Sequence, residues 1–479
     1  MNYKVVFHTL GLVLNCEAAC MLLPLICALI YNEQPMVKVF LVCIGICLVL
    51  GSLLCFKSPK NKDMHSKEGF ISVALGWIFL SIFGAFPFLF SGYIPNFIDA
   101  LFETVSGFTT TGSSILCDVE ILPKSLLFWR SFTHWIGGMG ILVFLVAILP
   151  ISGGSNLFLL KAESPGPTVS KFAPKVRSTA KILYGIYIAM TIIQIIFLLC
   201  GGMSLYESLL TAFGTAGTGG FGFKNSGLAN YSPYIQYVVT IFMALYGINF
   251  SVYYLILIKK FRPAFSLQEV RTYLSILIIA VFIIFFDCRG LYSTTEEAFR
   301  QTAFQVSSIM TTTGYTTTDF DLWPGLSKTV LLGLMFIGAC AGSTGGGIKV
   351  SRIIVLLKSI VKEIKLIAQP KIMHKVTLDK RPVEHETVRS INVFMAAYIV
   401  IFAFSVLIIS LDGFDFTTNF SAVAATLNNI GPGFAMVGPT QNFSVYSDFS
   451  KLILTLNMLI GRLEIFPILI LFFPYTWKK

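Results

Sequence analysis

The chain of 479 residues is 55% hydrophobic and only 12% charged, with a mean hydropathy of +0.78, against about a quarter charged residues in soluble domains. This excludes a soluble globular protein and indicates a polytopic α-helical membrane protein. The formal net charge of +11 does not point to nucleic acid, because the cations are confined to alternate loops.

Apolar runs near the ~20 residues that cross a bilayer begin with 5–31 and 36–56. They continue with 70–90, 126–149, 182–200, 237–258, 274–286, 391–409 and 452–473. The first run is longer than a signal-peptide core and lacks a small-residue cleavage site, so it is expected to remain as a helix. Lys57, Lys60, Lys62 and Lys67 fill one loop, and Lys161, Lys171, Lys175 and Arg177 another. Lys259, Lys260, Arg262 and Arg271 fill a third, and 349–389 carries Lys358, Lys362, Lys365, Lys371, Lys375, Lys380 and Arg381. The alternate loops hold Asp99, Glu103, Asp118, Glu120, Asp319, Asp321 and Asp448 with few cations. The positive-inside pattern then puts the basic loops in the cytoplasm, together with both termini, marked by Lys4 and by Lys478 and Lys479. The cysteines lie mostly within the runs and form no CxxC pair, so neither a zinc site nor a disulfide framework is indicated.

Four shorter segments share one design. Residues 97–108 lead into SGFTTTGSS (106–114), 205–216 into GTAGTGGFG (214–222), 296–310 into SIMTTTGYT (308–316) and 416–427 into ATLNNIGPG (425–433). The copies align on Gly112, Gly220, Gly314 and Gly431 at an irregular period. Each follows the order span, short segment, polar loop, span. The short segments cannot cross a bilayer and suit re-entrant helices. A small residue six positions before each glycine, Ser106, Gly214, Ser308 or Ala425, would let the four pack around one axis.

Non-helical backbone at membrane depth must be buried in protein or line water. Four such loops meeting at an axis would form rings of carbonyl oxygens that replace the hydration shell of a monovalent cation. Glycine opens backbone conformations closed to other residues. The neighbouring β-branched threonines are expected to favour extended backbone, with hydroxyls that add oxygens or hold the loop. The C-terminal ends of the short helices would aim negative dipole ends at the ion. Competing readings are four unrelated turn loops and a broken-helix transporter of paired inverted repeats. Four copies in one context argue against both.

Further along, GACAGSTGGGIKVSR (338–352) fails as a phosphate-binding loop. Ile348 stands where the lysine should, Lys349 comes one place late, and no strand precedes it. Helix from 326 to 341 would be about 24 Å long, and 348–365 would extend it by ~27 Å, well beyond one bilayer. The glycines at 345–347 should break it, leaving a polar loop at membrane depth that must line a cavity. A glycine-rich packing face is the alternative, although packing faces space small residues by four. Arg462 falls near the middle of the last run. There a charge costs ~2.5–3.5 kcal/mol and needs a partner or water. Glu464 projects from another face; interior spans turn such residues toward the bundle or a cavity, with a structural ion pair as the alternative. His134 reads as a hydrogen-bonded helix residue, Gly137, Gly138 and Gly140 as close helix packing, and His65, His374 and His385 as loop residues without metal spacing. No catalytic constellation is present, so no enzyme is expected.

The four loops with their flanking spans, and the two leading spans before them, resemble the Trk/Ktr/HKT superfamily of potassium transporters, and within it the TrkH/TrkG type, over almost the whole chain. The resemblance implies an all-α membrane protein of ten transmembrane helices and four re-entrant helices. Two leading helices (1–57) would precede four pore units at 69–150, 179–259, 269–367 and 389–479 around a single pore. It implies filter carbonyls from Thr110, Thr111 and Gly112; Thr218, Gly219 and Gly220; Thr312, Thr313 and Gly314; and Asn429, Ile430 and Gly431. The fourth copy departs most, with Asn429 and Pro432, and this asymmetry should weaken selectivity. A serine at the first glycine goes with sodium transport in plant relatives, so Gly112 implies potassium.

The resemblance further implies a gate formed by Gly342, Ser343, Thr344, Gly345, Gly346 and Gly347 with Arg462. It implies K+ as the transported ion with no cofactor, a bacterial inner-membrane location, a homodimer in lipid, and a cytosolic nucleotide-binding regulator of TrkA type on the basic face. Proton- or sodium-coupled potassium symport on the same fold, and a non-transporting membrane scaffold or receptor, remain alternatives.

Overall fold

The computed structural model describes residues 2–56, 66–140, 176–369, 375–379 and 381–477. Lys57, Lys60, Lys62, Lys161, Lys171, Lys175, Lys371, Lys380, Lys478, Lys479, His65, His374, the end of run 126–149 and most of the basic stretch after it lie outside these. The described chain is helical apart from a short antiparallel ladder in which β1 (Thr377–Leu378) pairs with β2 (Arg381–Pro382).

One set of helices is long and uninterrupted enough to cross a membrane. It comprises α1 (Tyr3–Cys20) continued by α2 (Leu22–Ile30), α3 (Gln34–Cys55), α4 (Ser66–Gly84) continued by α5 (Phe86–Phe90), α8 (Val176–Cys200), α13 (Gln268–Cys288) and α17 (His385–Ile409). Their apolar side chains face outward in rows, such as Ile278, Ile279, Phe282 and Phe286, or Ile399, Val400, Phe404 and Leu407. Lipid, not water, suits such a surface.

A second set is short and enclosed: α6 (Phe97–Phe108), α9 (Leu205–Ala216), α14 (Thr295–Met310) and α18 (Phe416–Leu427). Each starts at a polar residue whose side chain accepts a backbone amide of the first turn: Asn96 from Ile98, Ser204 from Glu207, Thr294 from Glu297 and Asp415 from Thr418. Such caps contribute about 1 kcal/mol each and fix where a helix starts.

The third set follows the four loops; its first member ends at a left-handed glycine and the other three are each broken into two helices. Helix α7 (Lys124–Met139) ends at Gly140, with φ +74°. Helices α10 (Pro233–Tyr246) and α11 (Phe250–Leu257) are bent by 91° across Gly247–Asn249, where the Asn249 side chain caps α11 by accepting from Ser251 N at 2.8 Å. After the short α12 (Phe261–Ser266) and α13 comes α15 (Gly325–Ile337). It stops at Gly338, φ +70°, and α16 (Val350–Ala368) resumes after a non-helical stretch. Helix α19 (Asp448–Arg462) is separated from α20 (Phe466–Phe472) by Leu463, Glu464 and Ile465, the last two at positive φ. The runs 237–258 and 452–473, expected as unbroken spans, are thus each two helices. Polar groups at the breaks, Asn249 and Arg462, mark where the backbone leaves the helix.

The interrupted helices interleave with the short ones. Helix α7 packs on α6 and α9, α10 on α9 and α14, α15 on α14 and α18, and α19 on α18 and again on α6. The last contact closes a circle. The leading helices lie outside it, with α1 packed between α3 and α4.

Candidate functional site

All four short helices end in the same way. In α6 the Thr111 amide donates to the Ser106 carbonyl (2.9 Å) and Thr110 to Gly107 (3.1 Å). The same pair recurs as Gly219 to Gly214 (2.8 Å) with Thr218 to Thr215 (3.0 Å), and as Thr313 to Ser308 (2.8 Å) with Thr312 to Ile309 (3.1 Å). In the fourth loop it is Ile430 to Ala425 (2.8 Å) with Asn429 to Thr426 (3.3 Å). This is a Schellman motif, which requires a left-handed residue just past the helix. The small residues six places before each glycine supply the carbonyl that accepts the bond reaching back five residues.

The left-handed residue is Thr110, Thr218, Thr312 or Asn429, with φ between +54° and +57°. Two places on, Gly112, Gly220, Gly314 and Gly431 also have positive φ. The threonines were expected to run extended, and here the structure differs. Left-handed backbone at a β-branched residue is costly, and the paired amides of the helix end hold it in place. Positive φ at alternate residues turns successive carbonyls to one side of the loop.

The glycines close the ring. A Cβ on Gly112 would overlap the Gly219 carbonyl oxygen, one on Gly220 that of Thr313, and one on Gly314 that of Ile430. A Cβ on Gly431 would come within 2.8 Å of the Thr111 oxygen. Each glycine therefore abuts the residue before the next glycine, around all four loops and back to the first. The predicted filter residues are all brought together and are buried, apart from the half-buried Gly112, Gly220 and Gly314. Among the described residues their carbonyls accept no hydrogen bond, apart from Gly431, which takes one from Ser113 Oγ at 3.0 Å. Buried carbonyls are nearly always paired, so a ring of unpaired ones is an oxygen-rich site for a cation. No three His, Cys, Asp or Glu side chains gather as metal ligands among the described residues, so backbone and hydroxyl oxygens make up this site.

The surroundings brace the loops unequally. Thr109 and Thr111 share a hydroxyl contact of 2.8 Å, as do Thr311 and Thr313. In the second loop Gly217 and Gly219 take those places, and a Cβ at either would run into His134. The expected hydrogen bonds of His134 are not present, since neither ring nitrogen has a partner among the described residues. Its ring fills the space left by Gly219, its backbone carbonyl lies against Gly217, and the ring packs edge-on to Phe221. Gly137 and Gly138 do serve close packing, against Phe108 and Gly217. Glu103, expected in an outer loop, is buried on α6 and bonds Arg130 Nε at 2.6 Å. Arg130 also donates to the Gly222 carbonyl (2.6 Å) and lies over the Phe221 ring, while Glu103 accepts from Ser114 and Ile115. The pair fastens the first loop to the second. Only a charge-by-charge view of packing finds it, because sequence spacing brings neither residue near the other.

Directly beneath the ring lies the stretch between α15 and α16, residues 338–349. It is wider than the expected break at 342–347, because Gly338 already ends α15. The Gly346 amide donates to the Thr312 hydroxyl (2.6 Å), and the Gly347 amide to the Asn428 carbonyl (3.1 Å). Gly342 and Ser343 lie to the side, where the Gly342 carbonyl accepts from Phe250 N at 2.9 Å. Arg462 reaches into this layer. Its guanidinium donates to the Thr344 carbonyl (3.0 Å), the Thr110 hydroxyl (3.3 Å) and the Gly137 and Gly138 carbonyls. Glu464 pairs with Arg352, consistent with its separate face. The Lys349 ammonium, which spacing alone did not single out, donates to the Gly345 and Gly346 carbonyls. A recess of about 220 Å³ opens above the four glycines, lined by Ser113, Asn225 and Thr316 among others. One of about 520 Å³ lies below, beside Lys349, Arg352 and Glu464.

The family described as TrkH, cation transport protein, matches residues 36–289 and 291–478. The chain is 35% identical to the Trk system potassium uptake protein TrkH of Escherichia coli (strain K12) over 100% of both chains. It is 32% identical to the Trk system potassium uptake protein TrkG of the same strain, over 100% of this chain and 99% of that one. The crystal structure of the potassium transporter TrkH from Vibrio parahaemolyticus matches with a TM-score of 0.89 at 33% identity, covering 100% of both chains.

Proposed function

The chain belongs to the TrkH family of cation transport proteins, and from that premise we propose that it carries potassium into the bacterial cell through one channel-like pore. It is a membrane transporter, not an enzyme. The observation that carries the reading is the closed ring of carbonyls at Thr110 to Gly112, Thr218 to Gly220, Thr312 to Gly314 and Asn429 to Gly431, mostly buried and, among the described residues, without donors except at Gly431. A dehydrated monovalent cation would find its oxygens there, drawn inward by the membrane potential at ~2.3 kcal/mol per 100 mV. Below the ring, the Gly342–Gly347 stretch and Arg462 form the gate. The four units run 69–150, 179–259, 269–367 and 389–479, with both termini in the cytoplasm. The protein works as a homodimer, and a TrkA-type nucleotide-binding regulator docks on the basic inner face.

The test is flux of K+, Rb+ and Na+ into proteoliposomes holding the purified chain, beside Gly314→Ser. The expected result is flux favouring K+ and Rb+ without a proton or sodium gradient, with discrimination loosened by the substitution. Flux that requires such a gradient would establish coupled symport instead. Robust flux indifferent to Gly314→Ser would overturn the filter assignment.

A further inference from the structure

We infer that Glu269 is the clasp that holds the intramembrane stretch in its closed position, an inference that rests on the gate reading above. Glu269 lies in the first turn of α13, one of the continuous spans, and is buried. Its Oε1 accepts two backbone amides, from Ala341 at 2.7 Å and from Ser351 at 3.1 Å. These belong to opposite limbs of the stretch. Ala341 lies just past the end of α15, and Ser351 in the first turn of α16. The N-cap residue of α16, Lys349, offers no side-chain cap, so the Ser351 amide at the positive end of that helix is met by a carboxylate from another element.

One oxygen bonded to both limbs draws the base of the stretch together. Two backbone bonds, Val350 to Ala339 (3.1 Å) and Ile348 to Phe336 (3.3 Å), run alongside. At the tip the arrangement is reversed in sign. Thr344, Gly345 and Gly346 present carbonyls, which Arg462 and Lys349 hold under the ring. Negative charge at the base and positive charge at the tip thus fix the stretch along its length. Lys349 and Cys340 are titratable groups that interact electrostatically with the carboxylate, and the Lys349 ammonium is bonded to the tip. A tip that swings aside for an ion strains the limbs at their base, so the clasp sets how often the path opens. Glu269 is a positioning residue, since it bonds the stretch and not the ring.

The experiment measures regulator-free K+ uptake by the full chain in proteoliposomes for Glu269→Ala, Glu269→Gln and Glu269→Asp. Loss of bonds to a charged acceptor should raise the maximal rate about tenfold in Glu269→Ala, less in Glu269→Gln, and little in Glu269→Asp. The half-saturating K+ concentration and the preference for K+ over Na+ should not move. A merely structural role would lower the rate, and the isosteric Glu269→Gln keeps the test valid if the alanine variant does not fold. Folded variants with wild-type or lower rates would overturn the clasp. Deletion of 342–347, measured in parallel, separates the two readings. A raised rate in the deletion with none in Glu269→Ala removes the clasp alone, whereas no rise in either removes the gate and the clasp together.

Discussion

The four loops of the ring and the single stretch beneath it draw on the same residues, glycine, serine and threonine, yet they use their backbones in opposite ways. In the ring, amides bond back into the helix ends and, among the described residues, every carbonyl but that of Gly431 is left without a donor. In the stretch below, carbonyls of Thr344, Gly345 and Gly346 are taken by Arg462 and Lys349, and amides by Thr312, Asn428 and Glu269. On the proposed reading, one backbone offers its oxygens to a free cation, while the other has its oxygens occupied by cations tethered to the protein. A layer that holds an ion would then lie over a layer that excludes one, and the two can be tested independently.

The largest effect is expected in the ring at Gly220→Ala. The new Cβ would occupy the place of the Thr313 oxygen, and the backbone there has φ +71°. Left-handed backbone alone costs about 1–2 kcal/mol for a residue with a Cβ, before the clash. K+ flux should fall to about a tenth of wild type or less, with the remainder no longer favouring K+ over Na+. Selective flux at the wild-type rate would mean that the abutting loops do not need their close approach.

In the lower layer the expected change has the opposite sign. Arg462→Gln removes the cation from the Thr344 carbonyl and from the Thr110 hydroxyl. Hydrogen bonds to charged groups contribute about 1.5–3 kcal/mol, so regulator-free uptake should rise roughly tenfold or more. Ring substitutions are thus expected to lower flux and damage selectivity, and lower-layer substitutions to raise flux and spare it. An Arg462→Gln protein with lower flux would show that the tethered cation supports the ring instead of closing the path.

Much of this was legible in the sequence where a local rule governs. The short helices end as expected, at Phe108, Ala216, Met310 and Leu427, because length, polar first residues and glycine all agree there. Where tertiary demand overrides a local rule, the sequence misleads. Threonine prefers extended backbone, and only a helix end that must feed a shared ring holds Thr110, Thr218 and Thr312 left-handed. The apolar run 237–258 reads as a single helix. Its one hint is YGINF, where Gly247 and Asn249 permit the 91° bend. Glu103 with Arg130, and Glu269 with both limbs of the stretch, join residues far apart in the chain, and composition carries no trace of such pairs.

The smallest effect sharpens the question of what in the ring discriminates between ions. Asn429 departs from the threonine of the other three loops, yet its φ of +56° matches theirs. If backbone position sets selectivity, Asn429→Thr should leave the preference for K+ over Na+ unchanged, because three threonines already hold this conformation. Stability should fall. The Asn429 Nδ2 donates to Thr111 Oγ1 at 2.8 Å and to the Met458 carbonyl at 2.9 Å, and threonine forfeits both. It also gives up the better left-handed tolerance of asparagine. A loss of about 1–2 kcal/mol follows, read as a lower Tm in detergent with flux per folded protein preserved. Sharper selectivity in Asn429→Thr would instead assign discrimination to side-chain identity around the ring. The fourth loop would then be the place where this protein gives up selectivity.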